Sequence, residues 1–327
     1  MNLLTSSRMK DARACARLHR YRYIDGYRPA RTDEALSLGT LVHKGLEEWW
    51  RSTARGEERL AEMLAGLPTD GDAFELARAR AMLVGYHHRW DAEEFETLGV
   101  EIQFEAPLRN PETGAPSRTF RLAGKVDAIA RDSRGRVLLV EHKTSSEDVS
   151  PGSDYWKRLR LDGQISTYYA GGKVLGHEVD ACLYDVLGKP AIRPYQATPL
   201  EKRRTNKDGS LHASTRLTDE TPAEFEARCM EALAAEPMRF YSRGEVVRLS
   251  DELREAALDA WQLGDQLREQ ARTGCHPRNP DACVRYNRTC AFFDVCTGAA
   301  SLDDPSRFVR LPTMHPELDT PNPQEAA

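Results

Sequence analysis

The sequence predicts an α/β protein, in which helices flank a central β-sheet, because helix-type and strand-type segments alternate along it. Between residues 33 and 94, apolar residues recur at spacings of three and four, which is the period of an amphipathic helix. Three segments rich in β-branched and apolar residues follow, with turn-forming residues between them. These segments are 100–108, 119–131 and 136–144. A helical segment from Leu161 and a strand-type segment from Val179 continue the alternation.

The second half of the chain predicts helices separated by irregular segments. Residues 201–219 are polar and indicate irregular structure, and the pattern of a capped helix begins at Thr221. A short strand near 245–249 leads into a long helix over about 250–272. The tail after Gly298 is rich in proline and acidic residues, which predicts disorder.

Composition indicates a globular protein of the cytoplasm. The 327 residues are enough for one large domain or two modest ones. No apolar run approaches about 18 residues, and the polar, basic start lacks the apolar stretch of a signal peptide. We therefore expect a cytoplasmic protein without a membrane-spanning segment. In that reducing compartment, clustered cysteines bind metal more often than they form disulfides.

The charge is unevenly distributed along the chain. The net charge of -5 argues against a generally basic nucleic-acid binder. However, residues 1–31 carry eight basic and two acidic side chains, and further basic segments begin at Trp156 and Glu201. Each segment is either a contact surface for a polyanion or a solvated helix face. Neither G-x-x-x-x-G-K-[ST] nor G-x-G-x-x-G occurs, so no ATP motor or dinucleotide site is indicated.

Residues 124–144, "GKVDAIARDSRGRVLLVEHKT", predict a β-hairpin. A three-residue loop that ends in Gly135, with this glycine in the left-handed conformation, pairs Asp132 with Arg136. The loop fixes the register of the two strands, because every pair further along follows from this first one.

This register brings charged side chains together at one end of the hairpin. Asp127 faces Glu141, and Lys125 faces Lys143. Like charges on directly paired residues repel unless something neutralises them, and a divalent cation would do so for the two carboxylates. Glu141 and Lys143 share one face of their strand, while His142 lies on the other. The alternative is an exposed hairpin end that carries ordinary charges.

The D-x(n)-E-x-K arrangement of Asp127, Glu141 and Lys143 resembles that of the PD-(D/E)XK nuclease superfamily. Val126 stands where the family has proline, a departure that touches no chemistry. The resemblance implies a restriction-endonuclease-like core with a central mixed β-sheet flanked by helices, joined to a helical N-terminal segment and a C-terminal Fe-S subdomain. Glu105, on the preceding strand, is a weaker candidate for an outer acid.

Two further motifs resemble the RecB-type branch of that superfamily. "LGTLVHKGLE" contains the Gly39, His43 and Glu47 of its helical motif. "GQISTYY" contains Gln164 and Tyr168 at its Q-x-x-x-Y positions, on one face of a helix. In the family these two residues grip the substrate or orient the lysine. Each motif alone would be an ordinary helix, because a lone histidine is more often a surface or core residue than a ligand.

The resemblance implies roles for the site residues in metal-dependent hydrolysis of phosphodiester bonds. Asp127 and Glu141 would bind Mg²⁺ or Mn²⁺ through carboxylate oxygens. His43 would be a further ligand, and the backbone carbonyl of His142 another. Lys143 would orient or deprotonate the attacking water and stabilise the charge that develops on phosphorus.

Three of the seven cysteines lie within residues 283–296, "CVRYNRTCAFFDVC". Three thiolates do not complete a tetrahedral metal site, so a fourth ligand is needed. Cys275 is the nearest, but the gaps that it gives are wider than those of most zinc sites, so zinc is less favoured than an iron-sulfur cluster. Basic and aromatic residues here, such as Arg285 and Phe292, either contact DNA or pack against the cluster.

In the iron-sulfur branch of RecB-type nucleases, one cysteine precedes the nuclease core and three follow it. The resemblance therefore implies a 4Fe-4S cluster with four particular ligands. These are Cys15, Cys283, Cys290 and Cys296. Cys275 would be a spare thiol, with Cys182 and Cys229 as core residues. Such a cluster would join the two ends of the chain and stabilise the whole fold.

These expectations divide the chain into five segments. They are 1–32 with one cluster cysteine, 33–200 as the nuclease core, 201–272 as a helical extension, 273–298 as the Fe-S segment and 299–327 as a disordered tail. We expect a metal-dependent DNA nuclease, and by family analogy an exonuclease of single strands or duplex ends in recombination, repair or phage DNA processing. Its partner would be a helicase or recombination protein.

Two alternatives stay open. One is a non-catalytic DNA-binding accessory subunit that contains an Fe-S cluster or zinc. The other is an iron-sulfur redox protein, which is less favoured because the sequence has no recognisable second cofactor site.

Overall fold

The computed structural model describes residues 2–30, 34–285 and 288–318. A mixed sheet of six strands lies at the centre of these residues, and helices cover both of its faces. The predicted α/β class, with a central sheet flanked by helices, is therefore confirmed.

The described elements run in the following order. The strands are β1 (Asn2–Leu4), β2 (Tyr27–Pro29), β3 (Phe95–Arg109), β4 (Pro116–Asp132), β5 (Val137–Ser145), β6 (Ala181–Gly188), β7 (Tyr241–Val246), β8 (Val284–Arg285), β9 (Arg288–Thr289) and β10 (Phe308–Arg310). The helices are α1 (Ser6–Ala14), α2 (Ala16–Tyr23), α3 (Glu34–Arg51), α4 (Gly56–Ala65), α5 (Ala73–Trp90), α6 (Asp154–Leu159), α7 (Gly163–Val174), α8 (Pro222–Ala235), α9 (Pro237–Phe240), α10 (Ser250–Thr273) and α11 (Phe293–Thr297).

The central sheet mixes parallel and antiparallel pairs. Its strand order is β1, β4, β5, β6, β7; β1 and β5 pair with one edge of β4 at different positions, and β3 pairs with the other edge. β5 and β6 are parallel, and α6 and α7 form the crossover that a parallel pair requires. β4 pairs antiparallel with both β3 and β5, so it lies in the interior of the sheet.

The hairpin of β4 and β5 has the register that the sequence predicts. Ala128 faces Val140, and the backbone N–H of Asp132 donates to the carbonyl of Arg136 at 3.0 Å. Gly135 has a φ of 81°, in the left-handed region where a side chain would be strained. The turn chemistry therefore sets which side chains of β4 and β5 meet.

Two apolar cores hold the layers together. Trp50 of α3 packs with Val140 on one face of β5, and Ile165 of α7 packs in the core that contains Leu139 of the other face. All four side chains are at most 1% exposed. Burial of a side chain of this size contributes about 1.5–3 kcal/mol, so the packing fixes α3 and α7 on opposite sides of β5.

The two ends of the described chain pack on each other. β1 pairs parallel with β4 of the central sheet, and β2 pairs antiparallel with β10. The Thr5 hydroxyl donates to the Glu317 carboxylate at 2.5 Å, and the Phe292 and Phe308 rings stack with centroids 5.1 Å apart. Residues 299–318 thus have defined structure, unlike the disordered tail that the sequence predicts, and 319–327 lie outside the described residues.

Two other features differ from the sequence-based expectations. β7 is Tyr241–Val246 and begins before the predicted strand at 245–249. β1 and β7 both belong to the central sheet, so the segments 1–32 and 201–272 each contribute a strand to the same sheet as 33–200. None of the described helices is both long and apolar enough to span a membrane.

Candidate functional site

The site lies where β5 diverges from β4. The paired residues end at Ala128 and Val140, one position before the expected pair of Asp127 and Glu141. At that point the Asp127 carboxylate replaces the next backbone acceptor, and the N–H of His142 donates to its Oδ2 at 2.7 Å. The predicted juxtaposition is therefore present, with the two strands parting beside it.

Glu141, Lys143 and Gln164 form one hydrogen-bonded group on the same face of the sheet. The Lys143 ammonium donates to Glu141 Oε1 and, at 3.2 Å, to Gln164 Oε1. The Gln164 amide donates to Glu141 Oε1 at 2.8 Å and to the Tyr168 hydroxyl oxygen at 2.7 Å. The Tyr168 hydroxyl donates in turn to the Lys125 carbonyl at 2.9 Å. α7 thus bridges β4 and β5 through the two residues of its Q-x-x-x-Y motif.

The charges of this group stabilise one another. Burial opposes the positive charge of Lys143, but the carboxylates of Glu141 and Asp127 outweigh burial and raise the pKa of the ammonium. Burial raises the pKa of Glu141, against the opposing effect of Lys143, and Asp127 raises it further. Lys143 is therefore an ammonium at neutral pH, which suits it to orient groups and stabilise negative charge rather than to take a proton.

His43 of α3 approaches Asp127 from the face of β5 that carries His142, and the ring centroids of the two histidines are 6.1 Å apart. The His43 Nδ1 lies 3.8 Å from Asp127 Oδ2, which is too long for a hydrogen bond. Burial, followed by the neighbouring His142 and Lys143, lowers the pKa of His43 to about 3, so its ring is neutral. A Cβ on Gly39 would stand 3.3 Å from the Thr144 hydroxyl, so the glycine allows α3 to lie close to β5.

The His142 side chain lies on the opposite face of β5, as the strand alternation predicts. Its Nδ1 is 3.4 Å from Oδ2 of the buried Asp185 on β6. Asp185 also accepts hydrogen bonds from the Tyr86 hydroxyl and from Arg243 at 3.0 Å. Burial alone would raise the pKa of Asp185, but Arg243 and His142 lower it. This buried charged group lies directly beneath the strand that carries Glu141 and Lys143.

Glu101 of β3 is a site residue that the sequence reasoning missed. It is adjacent to Val100 and Ile102, which face Ala128 and Val126, so it lies across from Asp127. Its φ of 53° is the only positive φ of a non-glycine residue within the described ranges. Its carboxylate pairs with Lys125, and burial, Asp127 and Glu47 shift its pKa upward against that pairing.

Glu105 does not have the role expected of it. Its carboxylate accepts from Arg121 at 2.9 Å, in an ion pair whose Glu105 side chain is 52% exposed. It lies four positions along β3 from Glu101, or roughly 13 Å at the rise of an extended strand. Glu101, and not Glu105, is therefore the acid of β3 that approaches Asp127.

The donors fit a hard divalent cation. Glu141 Oε2 is buried and has no hydrogen-bond partner within the described part of the chain. Carboxylate oxygens with a neutral imidazole are ligands that Mg²⁺ and Mn²⁺ accept. Across residues 2–30, 34–285 and 288–318, no three His, Cys, Asp or Glu side chains already stand at metal-binding separation. Binding would therefore require the ligand side chains to move closer together.

The cysteines fall into three groups by burial. Cys182 and Cys229 are buried in the apolar cores, and Cys275 is exposed. Four others, which are Cys15, Cys283, Cys290 and Cys296, are partly buried, and all seven are free thiols. Burial raises the pKa of Cys290, and the other three thiols of this group lie near enough to raise it further. The N–H of Cys290 donates to the Cys283 carbonyl at 2.7 Å.

One comparison with known proteins, the match to a family model, agrees with this geometry. The family model of the PD-(D/E)XK nuclease superfamily matches residues 4–297. A search of curated protein sequences finds no match. Among solved structures, the crystal structure of SSO0001 aligns with 72% of this chain and 74% of its own chain, at 14% identity and a TM-score of 0.27. A TM-score and an identity this low carry no functional argument.

Proposed function

The chain belongs to the PD-(D/E)XK nuclease superfamily, and from that premise we propose that it is a divalent-metal-dependent deoxyribonuclease with Asp127, Glu141 and Lys143 at its centre. The observation that supports this assignment is the meeting of two carboxylates and an ammonium where β5 leaves β4, with Gln164 bonded to both Glu141 and Lys143. A buried carboxylate oxygen without a partner destabilises the fold, and a bound cation would relieve that cost.

In this proposal, Asp127, Glu141, His43 and the carbonyl of His142 would hold Mg²⁺ or Mn²⁺. When bound, such an ion supplies an activated water and neutralises the phosphate. Lys143 would orient the attacking water and stabilise the negative charge that develops on the phosphate oxygens. Gln164 fixes the positions of the Lys143 and Glu141 side chains relative to each other, and Tyr168 anchors Gln164 to β4.

We propose a 4Fe-4S cluster on Cys15, Cys283, Cys290 and Cys296, with zinc as the alternative. Support comes from the mutual influence of these four thiols, since Cys296, Cys283 and Cys15 all act on the pKa of Cys290. Cys275 is exposed and would be a spare thiol. The cluster would be structural, because it would join α1 and α2 to the segment after α10.

The finer biological assignment follows from family analogy. We propose an exonuclease that acts on single-stranded DNA or duplex ends in recombination, repair or phage DNA processing, in the cytoplasm and with a helicase or recombination protein as a partner. The competing proposal is a non-catalytic, cluster-containing accessory subunit. The complete Asp127, Glu141 and Lys143 set favours the enzyme.

A cleavage assay tests the proposal. The purified chain is incubated with linear and circular DNA, each single-stranded and duplex, in Mg²⁺, Mn²⁺ or EDTA. Metal-dependent cleavage of linear DNA, with circular DNA left intact, supports the exonuclease. Cleavage of circles identifies an endonuclease instead. Absence of cleavage in both metals, from protein that binds DNA, supports the accessory subunit.

A further inference from the structure

A groove of about 1010 Å³ opens beside the proposed catalytic group. Its lining includes Lys143 and Gln164, so it is continuous with the site. One wall is α1, another is α6 with the start of α7, and Arg285 of β8 also faces it. The groove therefore connects the nuclease face with the N-terminal segment and the cysteine-rich segment.

The groove is cationic, although the whole chain is acidic. Besides Lys143, its lining carries four basic side chains, which are Lys10, Arg13, Arg158 and Arg285. Asp162 is the acidic side chain of this lining, and its carboxylate already accepts from the Tyr184 hydroxyl at 3.0 Å and from the N–H of Gln164 at 2.8 Å. This local excess of positive charge contrasts with the net charge of -5 over the whole chain.

Lys10 and Arg13 are one helical turn apart on α1, and both are exposed. A Cβ on Gly163 would stand 3.5 Å from Arg13 Nη1, which places the guanidinium at the start of α7, next to Gln164. Arg158, across the groove, pairs with Glu147 at 2.6 Å. Two of the basic segments noted in the sequence thus converge on one path to Lys143.

The groove also exposes apolar surface among these cations. Leu161, at the bend between α6 and α7, is 94% exposed. Tyr155 is half-buried, with the Arg158 guanidinium 5.4 Å above its ring. A duplex hides its base faces and presents phosphates outward, whereas a single strand presents both. Cations mixed with an exposed leucine and a half-buried tyrosine therefore match unpaired bases and their phosphates.

We propose that this groove binds one strand of DNA and leads it to Lys143, with phosphates on Lys10, Arg13 and Arg285 and bases against Leu161 and Tyr155. The inference rests on the proposed nuclease function and specifies its substrate as a single strand. It gives the N-terminal and cysteine-rich segments a part in holding that substrate.

The chain offers a matched control. Lys202 and Lys207 belong to the third basic segment, are exposed, and are not among the residues that line the groove. K10A/R13A and K202A/K207A remove the same charge from the surface. Binding is measured by fluorescence anisotropy in EDTA, with a labelled strand about 16 nucleotides long, the upper end of single-strand site sizes.

K10A/R13A should weaken binding of the single strand by about 25-fold at 0.1 M salt, since each lost phosphate contact lowers the salt slope by about 0.7. The slope of log K against log salt should therefore fall by about 1.4, while K202A/K207A stays at the wild-type value. Equal affinities of the two double variants would overturn the groove assignment. Unchanged thermal unfolding of both variants shows that the fold is retained.

L161S separates base contacts from phosphate contacts. It should weaken single-strand binding several-fold and leave the salt slope unchanged, because Leu161 carries no charge. Wild-type binding of a blunt duplex as tight as that of the single strand would overturn the single-strand assignment.

Binding in EDTA is independent of cleavage, so the two proposals fail separately. If the wild type cleaves DNA and K10A/R13A binds it as tightly as the wild type, the groove is excluded as the binding site and the nuclease proposal stands. If K10A/R13A binds DNA more weakly and the wild type shows no metal-dependent cleavage, the nuclease proposal is excluded and the groove remains the binding site.

Discussion

The nuclease face and the cysteine group are held together in different ways. The register of β4 and β5 places Asp127, Glu141 and Lys143, and their charges pair with one another. The four cysteines instead come from the turn between α1 and α2 and from the chain after α10. Between Cys283 and Cys296, the only described strands are β8 and β9, which have two residues each.

The two sites therefore differ in what stabilises them. The nuclease face is stabilised by the central sheet, whereas the cysteine group would be stabilised by the ligand that it binds. Backbone hydrogen bonds and a buried charged group fix the nuclease face whether or not a cation is present. The thiols lie in and beside two-residue strands and a five-residue helix, so a bound cluster would contribute directly to the stability of their segment. The two regions should therefore respond differently to substitution and to removal of their ligands.

Asp127→Asn should have the largest effect on activity. The variant still accepts the N–H of His142 through its amide oxygen but loses the negative charge, so the fold should survive while cleavage falls by about 10³-fold. Initial rates on labelled DNA in Mg²⁺ measure the loss. Asp154→Asn, which alters an exposed acid, is the control. Near-normal turnover by Asp127→Asn would remove that residue from the mechanism.

Arg243→Met should have the largest effect on the stability of the sheet. It leaves Asp185 buried without its cation, a change that costs about 3–5 kcal/mol. Urea unfolding measures the loss, which should be the same with or without chelator. Arg239→Met breaks an exposed pair with Glu236 and should cost less than about 1 kcal/mol. A loss equally small for Arg243→Met would show that the buried group does not hold the site.

Cys15→Ser should affect the cysteine group and leave the nuclease face unchanged. We expect anaerobically purified protein to lose most of its iron and to unfold at a lower temperature, because a proposed ligand is gone. Cys275→Ser changes an exposed thiol and should keep both properties. Iron analysis and thermal unfolding measure the two effects. Iron loss confined to Cys275→Ser would transfer the fourth ligand to that residue, and wild-type protein without iron would exclude the cluster.

Glu101→Gln should have the smallest effect. Lys125 loses its carboxylate partner beside Asp127, where its ammonium would compete with a divalent cation. Half-maximal cleavage should need about tenfold more Mg²⁺, equivalent to about 1.4 kcal/mol. A Mg²⁺ titration of the cleavage rate measures this shift. Glu105→Gln, which changes an acid of the same strand, should leave the requirement unchanged. Equal Mg²⁺ requirements for both variants would contradict a role for Glu101.

The sequence predicts the centre of the site because local rules govern it. A three-residue loop with Gly135 determines the β4–β5 register, and strand alternation then places His142 opposite to Glu141 and Lys143. Predicting a site role for Gln164 also required the family resemblance. The positions of apolar residues along a helix do not indicate which strand the helix will pack across.

Other features depend on tertiary structure and could not be predicted. An irregularity between Pro107 and Arg109 shifts the β3–β4 register, so counting from the turn does not place Glu101 across from Asp127. Asp185 and Arg243 look like ordinary charges of separate strands until the sheet pairs them. The proline-rich composition after Gly298 predicts disorder, but it does not encode the pairing of β10 with β2.

The most direct test of the account is the cleavage rate of Lys143→Ala beside that of Lys157→Ala, on linear single-stranded DNA in Mg²⁺ and Mn²⁺. Lys157 is an exposed lysine of α6, and its loss should leave the rate unchanged. We predict that Lys143→Ala still binds DNA but cleaves it about 10²–10³-fold more slowly in both metals. Cleavage by Lys143→Ala at the rate of Lys157→Ala would contradict the assignment of this site as the nuclease centre.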